Sequence, residues 1–67
     1  MISFTRLWEK LKKDHVSQYR LKKEGISNST LIRLKKGENV NTDTINKLCG
    51  ILHCNVEDIM EFVEDLE

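Results

Sequence analysis

Phe4, Leu7, Trp8 and Leu11 recur at i, i+3, i+4 and i+7, the repeat that lines one side of an α-helix. The spacing predicts a helix over residues 4–13, with Ser3 or Thr5 near its start. Lys12 and Lys13 close it, where a helix dipole favours cations. A short link, 14–16, leads to a second helix over 17–24, with Ser17 as N-cap. Its apolar pattern is thin: Val16, Tyr19 and Leu21 only. Gly25-Ile26 makes a tight turn, since glycine takes a positive φ readily. Ser27 caps a third helix over 28–36, and Gly37 ends it. Residues 38–41 read as a loop anchored by Val40. Thr42 caps a fourth helix over 43–52, in which Ile45, Leu48, Cys49 and Leu52 repeat the first stripe. Asn55 caps a fifth over 56–64, carrying Val56, Ile59, Met60 and Val63, with Phe62 and Leu66 beside them. The expected fold class is all-α: a compact five-helix bundle making one domain over residues 1–67, without internal repeats or linkers.

Composition narrows this picture. With 39% apolar and 33% charged residues and no proline, the chain suits a small helical bundle better than a strand-rich or disordered one. At 67 residues the core is modest and the stability margin thin. Two cysteines are too few for a disulfide framework. No segment reads as a signal peptide or reaches membrane-spanning length, so a reducing cytoplasm is the expected location.

Net charge is zero, but the signs are segregated. Residues 1–37 hold ten Lys/Arg against three Asp/Glu; residues 38–67 hold one Lys against eight Asp/Glu. One half therefore carries a positive field that attracts a polyanion, and the other repels it. Interspersed signs would serve solubility as well. Segregation favours a partner.

The third helix gives that partner a chemistry. On a wheel of 100° per residue, Leu31 and Leu34 point inward and Thr30 stands at the boundary. Ser29, Ile32, Arg33 and Lys36 point away, with no acid among them. A solvated face would ordinarily mix Glu with Lys. These groups suit DNA instead: Arg forks to guanine, Asn to adenine, and an apolar carbon meets the thymine methyl. The alternative is a mildly basic surface helix. The preceding helix and the short turn at Gly25 complete a helix–turn–helix, in which the second helix lies in the major groove.

Here the chain resembles a known family. From about Phe4 to Val63 it is similar to the phage lambda repressor/Cro-like DNA-binding domains, the xenobiotic-response-element class of bacterial regulators. The residues that carry the resemblance are SQYRLKKEGISNSTLIRLKKGENVNTDTINKLCGILHCNVEDI. Within them, GIS..TL..L..G followed by T...LC.IL.C...DI is most like the short, single-domain members. The resemblance implies that Asn28, Ser29 and Arg33 read base edges, with Thr30 and Ile32 of the same helix beside them. It implies that Ser17 or Gln18 touches phosphate or an outer base pair, and that Lys35, Lys36 and the loop through Asn39 lie near phosphates. Tyr19 either meets a phosphate or packs beside Val16 with its hydroxyl at the rim. One departure stands out: the second helix and its turn are about one residue shorter than the commonest spacing. Leu21 also stands where a small residue is usual, which leaves Ser17 and Gln18 as alternatives.

Other constellations are weaker. Cys49, His53 and Cys54 are three soft ligands within six residues, but tetrahedral zinc wants paired spacings and a fourth ligand. Cys49 reads as part of the apolar stripe, so no metal and no cofactor are expected. His15 has no neighbouring nucleophile. Glu57, Asp58, Glu61, Glu64 and Asp65 have no partnered His and read as a solvated face rather than an acid/base pair. No enzyme and no small-molecule substrate emerge. Phe62 and Leu66 extend the last helix's apolar side, either as a wider core face or as the surface of a homodimer on DNA. The expected function is a sequence-specific, double-stranded-DNA-binding transcriptional regulator. The competing class is a protein-interaction module, of antitoxin or antirepressor type, binding its partner through Phe62 and Leu66.

Overall fold

A computed structural model describes residues 1–64. In chain order these form β1 (Ile2–Ser3), α1 (Thr5–Lys13), α2 (Gln18–Lys23), α3 (Asn28–Lys36), α4 (Thr42–Leu52), a 3-10 turn (Val56–Asp58) and β2 (Glu61–Phe62).

All four helices stop by one backbone device. The N–H of Val16 bonds the Leu11 carbonyl at 2.9 Å, Ile26 that of Leu21 at 3.0 Å, Glu38 that of Arg33 at 2.9 Å and Cys54 that of Cys49 at 3.1 Å. The residue before each donor is left-handed: His15 (φ 56°), Gly25 (φ 112°), Gly37 (φ 72°) and His53 (φ 52°). This is the Schellman closure, which satisfies otherwise orphaned carbonyls and reverses the chain within two residues. A Cβ at Gly25 or Gly37 would meet nothing within 4 Å, so these glycines supply backbone handedness, not room.

Helix starts follow the side-chain caps. Ser17 Oγ accepts from the Arg20 N–H and Ser27 Oγ from the Thr30 N–H, both at 3.2 Å. The cap of α4 is Asn41 rather than Thr42, which places its start one residue earlier than the pattern suggested. Asn41 Oδ1 accepts from both the Thr44 N–H (2.9 Å) and the Thr44 hydroxyl (3.0 Å). No side chain caps α1. Its Leu7 N–H is shared between the carbonyls of Phe4 (3.0 Å) and Ile59 (3.1 Å), which ties the first helix to the far end of the chain.

The core gathers Phe4, Leu7 and Leu11 of the first segment, Leu21, Ile26, Leu31 and Leu34 of the middle, and Ile45, Leu48, Leu52 and Ile59 of the last. Trp8, Val16, Val40, Cys49, Ile51, Cys54 and Met60 pack around it half-buried. No polar or charged residue is buried among the described residues.

The fifth helix does not form, so the all-α body has four helices. Asp58 Oδ2 accepts from the Asn55 N–H at 3.0 Å, but only one 3-10 turn follows. The chain then extends, and β2 pairs antiparallel with β1, Ile2 opposite Phe62 and Ser3 opposite Glu61. A helix would have put Val56, Ile59, Met60 and Val63 on one face. Instead Ile59 is fully buried while Val56 and Val63 are exposed. Nine residues are marginal for a helix without a packed face, and the branched and aromatic residues Ile59, Phe62 and Val63 also suit a strand. The N-terminal segment offers the pairing: the Val63 N–H bonds the Met1 carbonyl at 2.7 Å. Leu66 lies outside the described residues.

Candidate nucleic-acid interface

Position along α3 decides what each of its side chains can reach. Leu31 and Leu34 are buried, which fixes the helix's rotation about its axis. The opposite side must then face outward. Asn28, Ser29, Ile32, Arg33, Lys35 and Lys36 are all exposed, Ile32 to 43%. That leaves part of the isoleucine's methyl surface open on the same side as the polar and cationic groups. Thr30 sits half-buried at the margin.

Hydrogen bonds order the start of this helix. Ser27 Oγ lies 2.8 Å from Thr30 Oγ1 and 3.1 Å from Ser29 Oγ, besides accepting from the Thr30 N–H. The three hydroxyls form one local cluster, so the Thr30 hydroxyl is engaged within the helix. The sequence marked Ser27 as a cap; that it also holds Ser29 and Thr30 was not anticipated, although the run Ser27-Asn28-Ser29-Thr30 offered the signal. Asn28, outside the cluster, presents its amide at the first position of the helix.

The electrostatics are sharper than the charge count implied. Arg6 is drawn to the acidic end: its Nε meets Glu61 Oε2 at 3.1 Å and its Nη1 donates to the Glu57 carbonyl at 2.8 Å. Lys10 pairs with Asp14 at 3.1 Å, and that hydrogen bond raises the Lys10 pKa; desolvation opposes the rise and Asp14's charge adds to it. Arg33, Lys35 and Lys36 have no carboxylate of the described residues within 4.0 Å. Three cations in the last turn of one acid-free helix are therefore available to an external anion.

The remaining candidates are spread more widely. Ser17 caps α2 through its oxygen lone pair, which leaves its O–H to donate elsewhere. Gln18 is the first residue of α2 and exposed. Tyr19 is 69% exposed, most of its side chain open to solvent. Asn39 stands apart, on the wall of a groove of about 740 Å³ lined also by Ile2, Val40, Ile45 and Met60. Lys35 and Lys36 edge a smaller cleft of about 170 Å³ shared with Ile2, Ser3 and Trp8. The base-reading candidates thus share one helix, whereas the phosphate candidates come from both helices and the loop beyond.

Residues 6–65 match the family model of the Cro/C1-type helix-turn-helix DNA-binding domain. The chain belongs to that family. It is also similar to the solved crystal structure of the transcriptional regulator VanUg, with a TM-score of 0.87 and 31% identity over 96% of this chain and 87% of that one. No curated protein gives a significant match. As a Cro/C1-type domain, the chain carries its helix-turn-helix in α2, the turn at Gly25-Ile26 and α3. The turn is held by the Leu21–Ile26 closure, and the two side chains so joined are both buried in the core. Leu21, where a small residue is usual, therefore anchors the angle between the helices. Among the described residues, no helix is long and apolar enough to cross a membrane.

Proposed function

We propose that the protein is a sequence-specific, cytoplasmic transcriptional regulator that places α3 in the major groove of double-stranded DNA. Asn28, Ser29, Ile32 and Arg33 read base edges, with Thr30 shaping the edge of the contact. Ser17 or Gln18, Tyr19, Lys35, Lys36 and Asn39 meet the backbone. The observation that carries this reading is the outer face of α3: exposed, acid-free and bearing a stranded isoleucine between hydrogen-bonding groups. Phosphate neutralisation supplies most of the affinity and base contacts supply the choice among sequences. Two copies bind as a homodimer on half-sites about one helical turn apart.

One observation favours a second reading. Phe62, 72% exposed and paired across the ribbon with Ile2, leaves an apolar pair in water that a partner protein could cover. The expected test begins with selection of bound sequences from a random duplex pool, followed by a salt titration. Enrichment of a defined half-site, with affinity falling steeply as salt rises, supports the regulator. Absence of duplex binding at low salt, with a stable protein complex recovered instead, supports the interaction module.

A further inference from the structure

The closure that ends each helix sets two residues opposite each other, the third before the stop and the second after it; in α3 these are Arg33 and Glu38, whose charged groups stay more than 4.0 Å apart. In α1 and α2 these pairs are Leu11 with Val16 and Leu21 with Ile26, apolar in both cases. In α4 the pair is Cys49 with Cys54, both free thiols and both half-buried. The Cys54 N–H bonds the Cys49 carbonyl at 3.1 Å. Standard bond lengths on either side of that hydrogen bond keep the two Cα atoms within about 7 Å, the reach of a disulfide. Both side chains line the 740 Å³ groove, which gives a small molecule access to them.

We propose that Cys49 and Cys54 are a modification site, a dithiol that closes to an intramolecular disulfide on reaction with a low-molecular-weight disulfide. One thiol loses its proton and attacks a sulfur of the small disulfide, forming a mixed disulfide and expelling one small thiolate, which takes up that proton. The second thiol loses its proton and attacks the protein sulfur of the mixed disulfide, expelling the other small thiolate, which is protonated in turn. The protein is oxidised by two electrons, and the small disulfide is reduced to two thiols. Burial, followed by the Cys49 thiol beside it, raises the Cys54 thiol above its ordinary pKa, with the Lys10 ammonium opposing. The two sulfurs therefore sense each other across the cap. Closure would join the last turn of α4 covalently to the segment that leads into β2.

Cysteines five apart can also close in an unfolded chain, so the decisive quantity is the advantage that folding confers. The full chain is equilibrated in buffers of reduced and oxidised glutathione, without denaturant and in concentrated guanidinium chloride. Intact mass separates the closed form, lighter by two hydrogens, from glutathione adducts. The expected result is a closure constant at least about tenfold larger in the folded chain than in the denatured one. Cys49→Ser and Cys54→Ser are expected to stop at the single adduct. A folded-state constant equal to or below the denatured one would overturn the proposal, as would wild-type protein yielding only adducts or intermolecular dimers. The wild-type comparison stands even if a serine variant fails to fold.

Discussion

Ile32 and Phe62 are both large apolar side chains left in water, 43% and 72% exposed, yet their surroundings have opposite signs. Ile32 stands among Ser29, Arg33 and Lys36, with no carboxylate on its helix. Phe62 lies in a segment whose charged residues, Glu57, Asp58, Glu61 and Glu64, are all acidic, Glu61 being paired with Arg6. An exposed apolar group alone does not name a partner; the charge around it does. A polyanion is favoured beside Ile32 over Phe62, and the proposed function rests on that contrast.

Substitutions can break or sharpen that contrast. The largest effect belongs to the inner side of α3. Leu31→Ala leaves a cavity where a fully buried side chain was and should cost about 2–5 kcal/mol, enough to unfold much of so small a domain, as a denaturant melt would reveal. Its neighbour Ile32→Ala should leave stability within about 1 kcal/mol while weakening duplex binding. Equal losses of stability at the two positions would refute the assignment of faces. Arg33→Ala should relax base choice at one operator position by about 1–3 kcal/mol, read from competition among single-base operator variants. Lys36→Ala, at a proposed phosphate contact, should weaken all sequences alike and flatten the logarithmic salt slope by about one. Phe62→Ser should be the mildest, shifting monomer stability by no more than about 0.5 kcal/mol. If the ribbon mediates pairing on DNA, it should lower affinity for a two-half-site duplex and leave a single half-site unaffected.

The helical body was legible because its signals were redundant. For α3, a cap at Ser27, a stop at Gly37 and an inward pair at Leu31 and Leu34 agree, and its bounds follow directly. At α4 two adjacent residues could cap, and only the geometry of the Asn41 amide over Thr44 decides between them. The C-terminal segment misled because its apolar spacing fits a helix, while the partner that pulls it into a strand lies about sixty residues away in β1. Local periodicity carries no trace of such a partner. His15 and His53 were opaque for a related reason: histidine seldom adopts left-handed backbone, and the closures around it are imposed by the residues it separates. The outer face of α3 could be read as a chemical surface, but the pairing of Arg6 with Glu61, which removes a cation from the basic half, depends on the same distant fold.

The ribbon pairs Ile2 with Phe62 and Ser3 with Glu61, and Met1 exchanges backbone hydrogen bonds with Val63, so the loop it closes holds all four helices. Closing so long a loop carries a large entropy cost, so the ribbon is expected to form late and open early, which hydrogen exchange at the Val63 N–H would check. The helices can assemble before the ends meet. Because Ile2 and Ser3 share a cleft with Lys35, Lys36 and Gly37, a transient parting of the ends would be felt first at the C-terminal end of α3. The Ser27 cluster, where the helix starts, would keep its order while the distal turn breathes.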